Sequence, residues 1–339
     1  MNSIFISIFL LIVSFIILFK SSDWFIEGTI SLANLLRIPV FLIGVLIVGF
    51  GTSLPEMLVS IISSWQQHSA IALGNAYGSN IFNITFVLGG AAVVYPLIVS
   101  KRYFAIELPL LLLLTLFSIW IACDGRLTFT EALWLVAIFV VILLFLTFWY
   151  LRHPEEKQGN NDDFNPHLRL SRGQSLLFIG AGLTLLLLSS SVVVDSAVTI
   201  ARYYEVPDSI IGLTIIAMGT SLPEFAAAVA AAKKQESDLV LGNIIGSNIF
   251  NTLIVVGISG LISAPLYFEN SLLNRDLLIS LGLTLLVWLS SIPIKGFSGK
   301  IGRIKGVILI LLLLIYFAYL AKIAFLLSLI HISEPTRPY

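Results

Sequence analysis

Two glutamates stand in identical settings, Gly51-Thr52-Ser53-Leu54-Pro55-Glu56 and Gly219-Thr220-Ser221-Leu222-Pro223-Glu224, each in the middle of an apolar stretch. An ionisable group inside a membrane helix costs about 3 kcal/mol on insertion scales and by default marks a functional position. The proline before each glutamate has no amide for the carbonyl one turn back, and its ring disturbs that turn. Gly49, Gly51 and Gly219 weaken the same stretch further. The expected result is a kink or a short unwound turn with exposed carbonyls, tolerated only where it lines a polar cavity.

A second polar stripe follows each glutamate. Asn75, Ser79 and Asn83 recur at i, i+4 and i+8, so one helix face carries all three, and Asn243, Ser247 and Asn251 repeat the pattern. Gly74, Gly78, Gly242 and Gly246 should let these helices approach their neighbours closely. The donor set is all oxygen: two carboxylates, the hydroxyls of Ser53, Ser79, Ser221 and Ser247, amide oxygens, and backbone carbonyls around Thr52 and Thr220. Hard cations want such a set, and calcium in particular accepts many oxygens in flexible geometry. Two carboxylates balance one divalent ion, or equally two sodium ions or two protons. Packing alone explains poorly why a glutamate, a broken turn and an amide–hydroxyl stripe are all duplicated at one offset.

The elements that must hold these residues are membrane helices. Of 339 residues, 58% are hydrophobic and only 11% charged, with a mean hydropathy of +1.01. A soluble domain carries about 25% charged residues. Lipid is therefore the expected solvent. The net charge of zero gives no sign of a nucleic-acid partner. Ten apolar stretches are long enough to span: residues 3–34, 38–65, 71–98, 103–122, 128–151, 173–201, 207–232, 238–265, 272–293 and 303–329. The first reads as a retained helix, because Lys20 follows the apolar run instead of preceding it. Cys123, the single cysteine, reads as a small apolar filler, and the six tryptophans as interfacial anchors.

An offset of 168 relates the halves: Pro39 to Pro207, Gly44 to Gly212, Glu56 to Glu224, Asn75 to Asn243, Gly89 to Gly257. Between Leu73–Asn83 and Leu241–Asn251, nine of eleven residues are identical. The expected fold class is an all-α polytopic membrane protein, ten transmembrane helices forming two inverted five-helix repeats. Five helices per repeat is odd, so the second copy enters from the opposite side, with the site near the midplane. The parts are residues 1–151 (first repeat), 152–172 (linker loop), 173–330 (second repeat) and 331–339 (a polar tail of uncertain origin).

Loop charges orient the chain. Arg37, Lys101, Arg102, Arg152, Lys157, Arg169, Arg172, Lys233, Lys234, Lys295, Lys300, Arg303 and Lys305 fall on one side, against Arg126, Arg202, Arg275 and Arg337 on the other. Positive residues collect on the cytoplasmic side, so the linker between helices five and six is cytoplasmic and both termini are outside. Asp23, Glu27, Glu107, Asp124, Glu131, Asp195 and Glu269 lie nearer the expected helix ends, where pairing or interfacial roles fit better than ion binding. No catalytic residue is expected: there is no HExxH motif, and the four histidines lie in loops or the tail.

On the two GTSLPE copies and the pair Gly74-Asn75-Ala76-Tyr77-Gly78-Ser79-Asn80-Ile81-Phe82-Asn83 and Gly242-Asn243-Ile244-Ile245-Gly246-Ser247-Asn248-Ile249-Phe250-Asn251, the sequence resembles the cation/calcium exchanger superfamily, in its sodium/calcium exchanger branch, prokaryotic in type. The resemblance implies ten helices and alternating access, the first and sixth helices sliding past the other eight. It implies calcium held by the carboxylates of Glu56 and Glu224 and the carbonyls of Thr52 and Thr220. Sodium would use Ser53, Ser79, Ser221 and Ser247 with carbonyls at Gly49 and Ala217, and Asn75, Asn83 and Asn243 match amide positions. Asn251 departs, standing where well-known exchangers place an aspartate. Two carboxylates instead of three acids imply near-electroneutral exchange, with sodium, potassium or protons as counter-ion. The expected partners are the lipid bilayer and the transported ions Ca2+ and Na+ (or H+), with no cofactor and no obligatory protein partner. Exchange of another divalent ion is the alternative, and a cation channel a more distant one.

Overall fold

The computed structural model describes residues 2–152, 170–206, 215, 217–292 and 299–333. In lipid every backbone polar group must be satisfied within the protein, and helices do so locally. The apolar stretches accordingly form α1 (Asn2–Leu36), α2 (Val40–Thr52), α3 (Leu54–Trp65), α4 (Ser69–Val94), α5 (Tyr103–Ala122), α6 (Phe129–Arg152), α7 (Arg172–Tyr203), α8 (Ala217–Thr220), α9 (Leu222–Lys233), α10 (Ser237–Ser263), α11 (Leu272–Ser290) and α12 (Arg303–Ser333). Eight of these are long and apolar enough to cross a membrane, and α2 with α3 makes a ninth, bent by 47°. The expected seventh span is described only from its middle onward, as α8 and α9; Pro207 and Gly212 lie outside the described residues.

Two ribbons report which loops share a face. β1 (Leu97–Val99) pairs with β4 (Gly299–Ile301), and β2 (Arg126–Leu127) with β3 (Leu266–Tyr267), both antiparallel. Each ribbon joins a loop of one half to a loop of the other.

α4 and α10 form the centre. Every residue of the apolar window in α10 is buried, whereas α1, α6, α7 and α12 turn most of theirs outward. Phe9, Leu133, Val141 and Ile315 are among the exposed apolar side chains, a surface that lipid solvates. α1 packs lengthwise on α7. That contact is tight at two glycines: a Cβ on Gly182 would lie 2.7 Å from the Phe25 amide, and one on Gly28 would lie 2.7 Å from the Ser175 carbonyl.

Several expectations change with the packing. Cys123 is exposed at the end of α5 and fills no gap. Trp24, Trp65, Trp120 and Trp134 face outward, but Trp288 donates to the Phe104 carbonyl at 2.9 Å and Trp149 packs against the core. Asp23 and Glu27 lie more than two turns inside α1, not near its end, and Glu27 reaches Lys234 at 3.9 Å. Glu107 is fully buried and accepts the Tyr150 hydroxyl, a pairing role. Of the expected polar tail, residues 331–333 continue helix α12.

Candidate functional site

The helix that carries Glu56 breaks one residue earlier than Pro55 itself would dictate. Ser53 adopts φ −82° and ψ 6°, between α2 and α3, and Ser221 repeats this with φ −94° and ψ 11° between α8 and α9. Pro55 and Pro223 occupy the first turn of the helix that follows, where a missing amide costs nothing. Each glutamate thus begins a new helix just past a break.

The breaks face one another. The Ser53 hydroxyl donates to Glu224 Oε1 at 3.0 Å, and the Ser221 hydroxyl donates to Glu56 Oε1 at 2.9 Å. Each half holds the other half's carboxylate by the same atom at the same motif position. Glu56 and Ser221 are buried completely, and Ser53 and Glu224 to 1% exposure. Each glutamate has one oxygen left, Oε2, with no direct hydrogen-bond partner among the described residues. A buried carboxylate oxygen left unpaired is expensive unless a cation meets it.

The stripe residues hold the broken backbone. Asn75 Nδ2 donates to the Glu56 carbonyl at 2.9 Å and to Ser60 Oγ at 2.9 Å, and Asn243 Nδ2 donates to the Glu224 carbonyl at 3.2 Å. Their amide nitrogens are therefore committed, and only their oxygens can face an ion. Asn243 Oδ1 lies 3.3 Å from the Thr52 hydroxyl, which also donates to the Val48 carbonyl at 2.9 Å. Ser247 donates to the Gly49 carbonyl at 3.2 Å, bringing two expected sodium ligands together. Thr220 Oγ1 is a buried atom with no close hydrogen-bond partner among the described residues, and Ser79 is buried along a cavity that also touches Asn75 and Thr220. Ala217 opens the single turn Ala217–Thr220 that leads to the second break.

Asn83 and Asn251 each start a wide, π-helical turn, Asn83–Val87 and Asn251–Val255. Such turns concentrate at functional sites. Asn83 Nδ2 donates to Asn248 Oδ1 at 3.1 Å, while Asn251 is fully buried with neither amide atom paired among the described residues. Among the described residues no group of three acidic, histidine or cysteine side chains converges, so no third acid joins Glu56 and Glu224.

Close glycine contacts set this geometry in one half. A Cβ on Gly242 would meet the Phe41 carbonyl at 2.6 Å and the Gly44 Cα at 3.1 Å, and one on Gly246 would meet the Val45 Cα at 2.8 Å. α2 and α10 cross there backbone to backbone. Gly74 and Gly78 have no described neighbour within 4 Å; the counterparts of Phe41, Gly44 and Val45 fall outside the described residues.

Ser60, Asn80, Ser190 and Asn248 were not anticipated. Ser190 donates to the Gly219 carbonyl at 3.1 Å, and Asn80 Nδ2 donates to Thr252 Oγ1 at 2.9 Å. Asn80 and Asn248 were visible in the sequence as a pair at the 168-residue offset. Ser60 had no such signal, because Ala228 stands at the corresponding position, whereas Ser190 has Ser22 at the offset, which donates to the Phe19 carbonyl instead.

A helical membrane fold with two facing breaks, crossed hydroxyl–carboxylate bonds and an all-oxygen lining defines an ion carrier. The sodium/calcium exchanger protein model matches residues 6–148 and 174–322, and the chain belongs to that family. Inner membrane protein YrbG of Escherichia coli (strain K12) is 38% identical over 288 residues, 82% of this chain and 88% of that protein. Sodium/calcium exchanger MaX1 of Methanosarcina acetivorans is 28% identical over 348 residues, 90% of this chain and 95% of its own. A solved structure of the sodium-calcium exchanger NCX_Mj superposes with a TM-score of 0.79 and 32% identity, covering 94% of this chain and 99% of that one.

Proposed function

We propose that the chain is a secondary antiporter that exchanges Ca2+ for Na+ across a membrane by alternating access. The observation that carries this reading is the crossed pair Ser53–Glu224 and Ser221–Glu56. Each half contributes one carboxylate and one hydroxyl to the other, so a bound cation bridges both halves. Family membership and the likeness to NCX_Mj support the choice of ions.

In this reading Ca2+ takes the carboxylates of Glu56 and Glu224 and the carbonyls of Thr52 and Thr220. Sodium takes Ser53, Ser79, Ser221 and Ser247 with the carbonyls of Gly49 and Ala217. A serine that donates its proton to a carboxylate keeps lone pairs for a cation. Both ion types draw on the same two negative charges, so one set displaces the other, and that exclusion is what couples them. Asn75 and Asn243 act chiefly as struts, since their nitrogens hold the Glu56 and Glu224 carbonyls. The two halves are inverted repeats, residues 1–151 and 173–330, joined by a cytoplasmic linker at 152–172, with both termini outside.

The test is radiolabelled calcium uptake into proteoliposomes loaded with sodium, with protons in excess, or with neither. Uptake driven only by outward sodium is the expected result. Uptake driven equally well by protons alone would replace sodium as the counter-ion.

Asn251 sets a further expectation. With two carboxylates and no third acid among the described residues, two monovalent ions leave the site as charged as one calcium does. Exchange should therefore proceed at the same rate when valinomycin and potassium clamp the membrane potential at either sign. Asn251→Asp adds a buried negative charge beside the site, and its exchange should become potential-dependent or shift in sodium cooperativity. A wild-type rate that follows the potential would refute the charge count.

A further inference from the structure

The cavity of about 400 Å³ that reaches Asn75, Ser79 and Thr220 passes, on its way to the surface, a charged cluster that plays no part in the site. Arg275 Nε lies 2.6 Å from Asp276 Oδ1 and Arg275 Nη2 lies 3.0 Å from Asp276 Oδ2, a two-pronged ion pair. The Tyr316 hydroxyl donates to the same Asp276 Oδ1 at 2.8 Å. All three side chains line the cavity, with Tyr267 and the exposed Glu269 nearer its mouth.

The other half builds a comparable cluster at the opposite face. Glu107 is the counterpart of Asp276 at an offset of 169, the same offset that relates the first residues of the two wide turns, Tyr103–Glu107 and Leu272–Leu277. Glu107 accepts from Tyr150, Arg102 Nε lies 3.8 Å from it, and the Arg102 guanidinium sits 3.2 Å over the Tyr150 ring. In both clusters the tyrosine comes from the last helix of the same half, though not from matching positions. The surroundings differ. Phe41 of α2 stacks on Tyr150 and packs on Tyr103, both with centroids 4.9 Å apart, and only a void of about 20 Å³ remains nearby, beside Tyr103 and Ile244. One cluster is thus sealed beneath aromatic rings and the other lines an approach to the site.

We propose that the Arg275–Asp276 pair sets the electrostatic potential of this approach, and with it how readily cations pass between that face and the carboxylates of Glu56 and Glu224. The inference rests on the exchange reading of the site. Paired, the two charges cancel, and Glu269 at the mouth is the remaining charge among the residues that line the cavity. Without the guanidinium, Asp276 leaves a negative charge that concentrates cations along the route. Without the carboxylate, Arg275 leaves a positive charge that repels them. Charges lining a low-dielectric cleft change local ion concentration and on-rates by about tenfold or more. The effect has a signature that a structural role lacks. Local concentration follows a Boltzmann factor in the ion's charge, so a factor f for Na+ becomes f² for Ca2+.

The experiment measures initial Ca2+ and Na+ fluxes in right-side-out and inverted membrane vesicles. Arg275→Gln should lower the half-saturating Ca2+ concentration roughly three- to tenfold and Asp276→Asn should raise it by a similar factor, at one membrane face only. The shift for Na+ should be about the square root of that for Ca2+, and high salt should shrink both. Arg275→Lys and the double neutral variant Arg275→Gln with Asp276→Asn should return toward the wild-type value, which also guards against misfolding of either single variant. Shifts of the same sign in both single variants, equal shifts at both faces, or equal factors for the two ions would overturn the proposal while leaving the exchange reading intact. Wild-type vesicles that carry neither ion would overturn both.

Discussion

Calcium uptake falls by about 100-fold or more in Glu56→Gln and, separately, in Glu224→Gln, while both variants remain folded. Breaking a buried charge pair by removing one partner costs about 3–5 kcal/mol, and 1.4 kcal/mol is a factor of ten. A calcium ion at this site has two carboxylates to balance it and no third acid among the described residues. Glutamine keeps the size and one carbonyl oxygen, so Ser221 can still donate at position 56 and Ser53 at position 224, as each does now at 2.9 and 3.0 Å. The fold loses little because the crossed bonds survive. Function loses much because half of the compensating charge is gone. The check is labelled calcium uptake in proteoliposomes, with monodispersity and thermal unfolding measured alongside. Uptake above a tenth of wild type in either variant would refute the assignment of that glutamate.

The second large effect comes from a residue with no chemistry of its own. Gly242→Val should leave little folded protein, and what folds should not transport. A Cβ at this position lies 2.6 Å from the Phe41 carbonyl and 3.1 Å from the Gly44 Cα, both backbone atoms that cannot rotate away. Overpacking of this kind costs about 1–3 kcal/mol, more where the backbone cannot give. The helices relieve it only by separating, and the same pair carries the Ser247–Gly49 contact at 3.2 Å and the Thr52–Asn243 contact at 3.3 Å. Gly282→Val is the control: Gly282 in α11 is exposed and has no described neighbour within 4 Å. That variant should unfold within a few degrees of wild type. Equal loss in both variants would mean that valine in a membrane helix, and not the α2–α10 crossing, is the cause.

Much of this was legible in the chain itself. Hydropathy made the solvent lipid, and lipid leaves the backbone little choice but helix. Proline before a mid-span glutamate announced a broken turn, because the missing amide and the ring act locally whatever the fold. Repetition at one offset marked Glu56 with Glu224 and Asn75 with Asn243 as equivalent, since identical local sequence makes identical local demands. The glycines of α10 were legible as points of close approach, though not what they approach.

Contacts between distant segments were not legible, and they decide the site. Nothing in the spacing says that Ser53 bonds to Glu224, 171 residues away along the chain, instead of Glu56; only the meeting of the two breaks makes that choice. The same holds for Asn75, whose nitrogen the structure commits to a backbone carbonyl, and for Glu107, whose partner Tyr150 lies 43 residues further along the chain, on α6. Local sequence dictated where the helices break and which acids lie inside. Packing of one half against the other decided which oxygen each acid leaves for an ion, because a side-chain hydrogen bond depends on position in space and not on distance along the chain.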